Sequence, residues 1–278
     1  MKKYTYPSVM TIAGFDGSGG AGIQADIKTI SALGCFATSV LTALPVQNTT
    51  GVKHIFPIPI EAVKLQIETI MEDIMPDSIK IGMVHTSELA ITIVDTLKKF
   101  KKVPIVFDPV MVATSGHRLI EDDTIEVMIE KLFPIADIIT PNMDEIAILA
   151  NCKVDNLEEM ILAGEYIKKL GCKNILLKGG HLPTEKLTSI LLTPEEIKFY
   201  SYDKVLTNNT HGSGCTLSSA IASYLALGYP TNEAVYLGQE YVFNAISNGA
   251  DVLIGKGNGP LNHFYKPQKL VKNEMVRS

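Results

Sequence analysis

Basic residues are in short supply. Against 30 acidic side chains, the 278-residue sequence sets 25 lysines and arginines, for a formal net charge of −5 at pH 7. Nucleic-acid binders usually carry a basic face, so this balance argues against that class of partner. Long apolar runs are also missing. No stretch reaches the length of a membrane span, and the opening "MKKYTYPSVM" lacks the apolar segment of a signal peptide. The four cysteines, Cys35, Cys152, Cys172 and Cys215, form no C-x-x-C pair. That spacing speaks against a zinc site or a disulfide framework and suits reduced thiols in the cytoplasm. Linkers rich in Gly, Pro or Ser, repeats and low-complexity tracts are all absent. The expectation is a single domain over residues 1–278, with its core between about 8 and 264 and a loose polar tail after His263.

What is present is a steady alternation of apolar runs and helix-period segments. Hydrophobic residues make up 46% of the chain and charged residues 20%, enough for a sizeable core. "SVMTIAGF" (residues 8–15) reads as a buried strand; Ile23, Ile27, Ile30 and Leu33 then share one helical face, with Gly34 placed to end that helix. "CFATSVLTAL" reads as a strand stopped by Pro45, and Ile60, Val63, Ile67, Ile70 and Ile74 mark the next helix. "SIKIGM", "VPIVFD", "ADIIT" and "KNILLK" are further short strands separated by helical segments. Such alternation predicts an α/β protein with a central, mostly parallel sheet covered on both faces. "TSILLT" and "EIKFYS" add an antiparallel hairpin at its edge, and two long helices near residues 214–227 and 232–248 follow. In open sheets of this kind ligands sit beyond the carboxyl ends of the strands. The unusual residues fall there: "DGSGGAG", "QNT", "GM", "DPVM", "TPNMDE" and "KGGH".

Three readings of these motifs compete. "GSGGAG" (residues 17–22) matches G-x-G-x-x-G, a dinucleotide signature, yet the acidic residue needed about 20 positions on is missing from "FATSVLTALPVQNTTG". "HGSGCT" places Cys215 where a helix begins. There the helix dipole lowers a thiol pKa, and His211 or His181 would be the base of a Cys–His acyl-transfer enzyme. The third reading is phosphoryl transfer. G-x-x-x-x-G-K-[ST] is absent, so no P-loop holds the phosphates. The amides of Ser213, Gly214 and Cys215, at a helix start opened by Gly212, would form an anion site instead. Asp108 and Glu145 follow successive strands, and two carboxylates suit Mg²⁺. Lys178 ends an apolar strand, where an ammonium is costly unless it meets an anion. Ala21, Asp26, Gln47, Met83 and Val110 would line a pocket for a compact acceptor.

In order along the chain, "TIAGFDGSGGAGIQADIKT", "VQNT", "KIGM", "DPVM", "TPN…E", "KGGH" and "THGSGCTLSSAIA" resemble the hydroxymethylpyrimidine/phosphomethylpyrimidine kinases of thiamin biosynthesis. The resemblance covers about residues 9–264 and implies a three-layer α/β/α ribokinase-like fold. It implies that Ala21, Asp26, Gln47, Met83, Val110 and Cys215 contact the aminopyrimidine, that Asp108 and Glu145 serve Mg²⁺, and that Lys178, Asn142 and Gly214 serve ATP. Gly212–Cys215 would form the anion hole, with Cys215 as general base. It further implies a homodimer acting on a small molecule, in two successive transfers. Close relatives phosphorylate pyridoxal; here Gln47, whose amide both donates and accepts, matches the ring nitrogen and amino group of an aminopyrimidine. A non-catalytic pyrimidine-binding domain is the remaining alternative.

Overall fold

A computed structural model describes residues 3–111, 120, 122–180 and 186–274. Residues 113–119, which the sequence offers as a second candidate lid beside "VQNTTGVKHIFPIPI", and His181 lie outside them.

The chain opens with β1 (Tyr4–Thr5) and β2 (Ser8–Ala13), followed by α1 (Gly22–Ala32) and β3 (Phe36–Leu41). A separate ribbon of β4 (Ala43–Asn48) and β5 (Gly51–Pro57) leads into α2 (Ile60–Asp73). The alternation continues through β6 (Ser78–Ile81), α3 (Ser87–Leu97), β7 (Ile105–Phe107), α4 (Asp122–Val127) and β8 (Ile138–Ile139). Next come α5 (Met143–Ala150), α6 (Leu157–Lys168), β9 (Ile175–Leu177) and the hairpin β10 (Lys186–Leu192) and β11 (Ile197–Asp203). Helices α7 (Ser213–Ala226) and α8 (Thr231–Ser247) precede a short β12 (Asn273–Glu274).

The strand order of the main sheet is β11-β10-β9-β8-β7-β6-β2-β3. Pairing is parallel from β3 to β9 and antiparallel across β9, β10 and β11, so the edge hairpin stands where it was expected. Both faces are covered. Alternate strand residues (Met10 and Ile12, Ile79 and Ile81, Leu177) pack with Val63, Ile67, Leu89, Ile93 and Met160 on one side. Their neighbours Val9, Val106 and Leu176 pack with Ile30, Leu217, Ile221 and Val235 on the other. A period of two along each strand thus feeds two apolar layers. Among the described residues no helix is long and apolar enough to cross a membrane.

Three expectations need correction. Pro45 does not stop a strand; it lies inside β4, paired with Ile55. The ribbon has only two strands, so a residue without an N–H is tolerated on its outer side. The buried stripe of α1 runs through Ala25, Asp26, Thr29 and Ile30, while Ile27 is exposed. The helix is turned so that Asp26 faces inward, for a reason given below. The segment after His263 is also held: Gln268 N–H donates to Ala32 O (2.7 Å), Val271 N–H donates to Gly34 O (2.9 Å), and β12 pairs with β1.

Candidate active site

The C-terminal ends of β7, β8 and β9 converge on one oxygen. Asp108, just past β7, is 1% exposed; its Oδ1 accepts from Thr140 Oγ1 (2.9 Å) and from Lys178 Nζ (2.9 Å). Burial alone would lower the Lys178 pKa, but Asp108 and Glu145 outweigh it and hold the ammonium charged. Asn142 and Glu145 form a capping box at the start of α5. Asn142 Oδ1 accepts the Glu145 amide (3.0 Å), and Glu145 Oε2 accepts the Asn142 amide (2.7 Å). The other Glu145 oxygen accepts the Met111 amide at 3.4 Å. Burial, opposed by Lys178 and reinforced by Asp108, pushes the Glu145 carboxyl up to about 7. Two carboxylates that repel each other beside one lysine make a site that a further cation would relieve.

Opposite them begins α7. Gly212 is its N-cap, with φ +80°, and a Cβ there would overlap the Gly20 carbonyl oxygen. Only glycine therefore meets both the left-handed backbone and the close approach. No side chain caps this helix start; the Ser213 amide donates to Thr210 O (3.1 Å), and the amides of Gly214 and Cys215 follow it in the first turn. A Cβ on Gly214 would lie 3.3 Å from Lys178 Nζ and 3.4 Å from Asp108 Oδ2. The anion loop and the Lys178–Asp108 pair are thus in van der Waals reach.

Beneath Cys215 lies a polar network that the sequence reading missed. Lys80 on β6 is wholly buried, and its Nζ is 2.8 Å from Asp26 Oδ2. The same oxygen accepts from Thr11 Oγ1 (2.5 Å), and Asp26 Oδ1 accepts from Ser219 Oγ (2.6 Å). Alternation puts Ile79 and Ile81 into one apolar layer and Lys80 onto the α7 side. Burial opposes the charge, but Asp26, then Cys215 and Asp108, raise the Lys80 pKa. This explains the turn of α1: Asp26 must face a buried ammonium. Expected in the acceptor pocket, the Asp26 carboxylate instead has no exposed surface.

Cys215 also departs from expectation. Burial pushes its thiol up to about 11, despite the opposing charge of Lys80 and an amide hydrogen bond from Gly22. Desolvation outweighs the helix dipole, so this sulfur is a thiol at neutral pH. His211 is turned away from that sulfur chemistry. Its Nε2 lies 2.9 Å from Asp16 Oδ2, within the first glycine loop.

Of the other residues expected on the acceptor side, Ala21, Met83 and Gln47 lie at that loop or the strand end before it, and Val110 lies beside Asp108. Ala21 is the N-cap of α1, and its Cα would lie 2.9 Å from a Cβ on Gly212. Met83 covers Gly14, where a Cβ would sit 3.0 Å from its sulfur, and Met83 O accepts from Thr42 Oγ1 (2.8 Å). Gln47 sits at the β-bulge of the β4–β5 ribbon, with its carbonyl 3.9 Å from where a Gly17 Cβ would be. Val110 follows Asp108 by two residues, its amide bonded to the Asp108 carbonyl (2.8 Å). A signal for Lys80 did exist, a lysine inside the apolar "SIKIGM". The signal for Asp16 was weaker, an aspartate opening a glycine run.

A fold with helices on both faces of this sheet, and a lysine, two carboxylates and a helix start at its strand ends, is that of the ribokinase-like kinases. Solved relatives agree. The phosphomethylpyrimidine kinase of Clostridium difficile 630 is 45% identical, with a TM-score of 0.76 over 86% of this chain and 99% of that one. The pyridoxal kinase of Staphylococcus aureus with ADP is 30% identical, with a TM-score of 0.87 over 98% and 100%. A family profile described as phosphomethylpyrimidine kinase matches residues 16–262, and the chain belongs to that family. The hydroxymethylpyrimidine/phosphomethylpyrimidine kinase of Rhizobium meliloti (strain 1021) is 42% identical over 258 residues, 92% of this chain and 97% of that protein. The chain spans about half the length of the bifunctional thiamine biosynthesis proteins it also matches.

Proposed function

We propose that this kinase transfers the γ-phosphoryl group of ATP to 4-amino-5-hydroxymethyl-2-methylpyrimidine, and then a second group to the resulting monophosphate, as a step of thiamin biosynthesis. The observation that supports this reading is the meeting of Lys178, Asp108 and Gly214 at the carboxyl ends of the strands, with the Gln47 carbonyl 3.9 Å from a Cβ on Gly17, in the glycine loop that packs against Gly212. In the first transfer the hydroxyl oxygen bonds to phosphorus, the bond to the ADP oxygen breaks, and the hydroxyl proton leaves; in the second, an oxygen of the monophosphate, already an anion near neutral pH, attacks and ADP leaves in the same way.

Lys178, Asn142 and the Gly212–Cys215 amides would hold the phosphates and meet the charge that develops on them. The carboxylate pair suits Mg²⁺, which favours one or two carboxylates plus water and phosphate oxygens. When bound there, the ion would neutralise phosphate charge. On the acceptor side, Gln47 would pair with the aminopyrimidine edge, while Ala21, Met83 and Val110 shape the pocket. Asp26 would act from beneath, through Lys80. Cys215, a thiol at neutral pH, would hold the acceptor hydroxyl without serving as its base; the hydroxyl proton would leave late, to water or a phosphate oxygen, because a loose phosphoryl-transfer transition state asks little of a base. The same reading makes the protein a cytoplasmic homodimer. All four cysteines are free, as a reducing compartment requires, and Leu44, Val46 and Phe56 stand exposed on the ribbon.

The test is ADP release with Mg-ATP against hydroxymethylpyrimidine, its monophosphate and pyridoxal, in wild type and Gln47→Met. Turnover of both pyrimidines, reduced by the substitution, is the expected result. Turnover of pyridoxal alone would overturn the substrate assignment.

A further inference from the structure

Asp16 is wholly buried just past β2, and its carboxylate collects donors from its own loop. Oδ1 accepts from Ser18 N (2.9 Å) and Ser18 Oγ (2.7 Å); Oδ2 accepts from Gly20 N (3.0 Å) and Ala21 N (2.7 Å). One more donor comes from 195 residues away, His211 Nε2 at 2.9 Å from Oδ2. Because a carboxylate only accepts, Nε2 carries the proton in this contact. His211 precedes Gly212 directly, and its own amide is fixed by Gly259 O at 3.0 Å. The two loops also touch through their backbones: a Cβ on Gly20 would meet His211 Cδ2 at 2.5 Å, and one on Gly212 would overlap the Gly20 carbonyl.

We propose that Asp16 and His211 are a positioning pair that sets the distance between the acceptor-side loop ending at Ala21 and the phosphate-side amides of Ser213–Cys215. Neither residue need touch a substrate. Their bond fixes where the Ala21 wall of the pocket stands relative to the anion loop, and therefore how far the acceptor oxygen lies from phosphorus. Misplacement by about 1 Å is enough to cost about a hundredfold in rate. This rests on the kinase reading above and adds a role that the reading does not need.

The experiment uses the full chain with His211→Ala, His211→Gln, Asp16→Ala and the double alanine variant. ADP release should show kcat reduced about ten- to a hundredfold in His211→Ala, with KM for ATP within about twofold. His211→Gln, whose amide reaches the same carboxylate, should regain most of the rate, and the double variant should be little worse than either single one. Hydrogen exchange should quicken in His211→Ala at residues 16–22 and 211–215 together, a readout that stands whatever the substrate is. An unchanged kcat with a lower Tm, a glutamine variant no better than alanine, or additive losses would each overturn the pair. Should the alanine variant fail to fold, His211→Gln against the shorter His211→Asn decides, since equal rates would contradict the proposal. No ADP from wild type with any acceptor would remove the kinase reading, while the exchange result would still judge the staple.

Discussion

Lys178 Nζ lies 2.9 Å from Asp108 Oδ1, although β7 and β9, which end one residue before Asp108 and Lys178, are separated by β8. Thr140, at the end of β8, donates to the same oxygen at 2.9 Å. Three successive strand ends thus close on one carboxylate, with the first turn of α7 against it. On the kinase reading this ammonium would meet a polyphosphate, and the pair would be structural as well as functional.

Replacing Lys178 by methionine should therefore have two separable effects. Asp108 is left buried without its cation, which should cost about 3 kcal/mol of stability. Loss of a charge aimed at the transferring group should lower kcat by about two to three orders of magnitude. Adding Asp108→Asn should restore part of the Tm and none of the turnover; thermal denaturation and ADP release measure the two.

The Lys80–Asp26 pair, wholly buried on both sides, should behave more severely. Asp26→Ala strands an ammonium in the core and should destabilise by about 3–5 kcal/mol. Urea unfolding of Asp26→Ala, Lys80→Met and the double variant checks this. The double variant should be more stable than Asp26→Ala alone, and a simple sum of the two losses would contradict the coupling.

Cys215 should be a slow thiol. With its pKa pushed up to about 11, about one molecule in 10⁴ is thiolate at pH 7, far less than for an ordinary exposed cysteine. Site-resolved mass spectrometry with iodoacetamide should find Cys152, which is exposed, modified well before Cys215. The Cys215 rate should rise about tenfold per pH unit up to pH 10. Rapid, pH-independent modification of Cys215 would mean the sulfur is a preformed thiolate after all.

His263 predicts an acid limit on stability. Thr216 Oγ1 donates to Gly212 O at 2.9 Å, so the 3.1 Å contact with His263 Nε2 has the histidine as donor. Burial, helped by Lys28, holds its pKa down at about 4, against 6.5 for the free side chain. Between these values the unfolded chain binds the extra proton, so the contribution of His263 is complete above pH 6.5 and is lost as pH drops towards 4. The loss should reach about 3 kcal/mol, and His263→Gln should remove most of that slope in a Tm-against-pH series.

Much of the layout could be read from the sequence because it rests on local rules. Alternation gave the layers, and an ammonium at the end of "NILLK" announced Lys178. The lysine in "SIKIGM" carried the same signal, yet its partner Asp26 lies 54 residues earlier on a helix whose isoleucines suggested a different buried face. Pairings of that kind, like Asp16 with His211, exist only once the chain has folded. The thiol of Cys215 was misjudged for a related reason: the helix dipole is visible in a sequence, whereas the desolvation that outweighs it is not.

The most direct measurement follows the products themselves. Incubation with ATP, Mg²⁺ and hydroxymethylpyrimidine, monitored by ³¹P NMR, should show a monophosphate that rises first and then gives way to a diphosphate as ADP accumulates. A chain that leaves both the alcohol and its monophosphate untouched while converting pyridoxal to its phosphate would contradict the account.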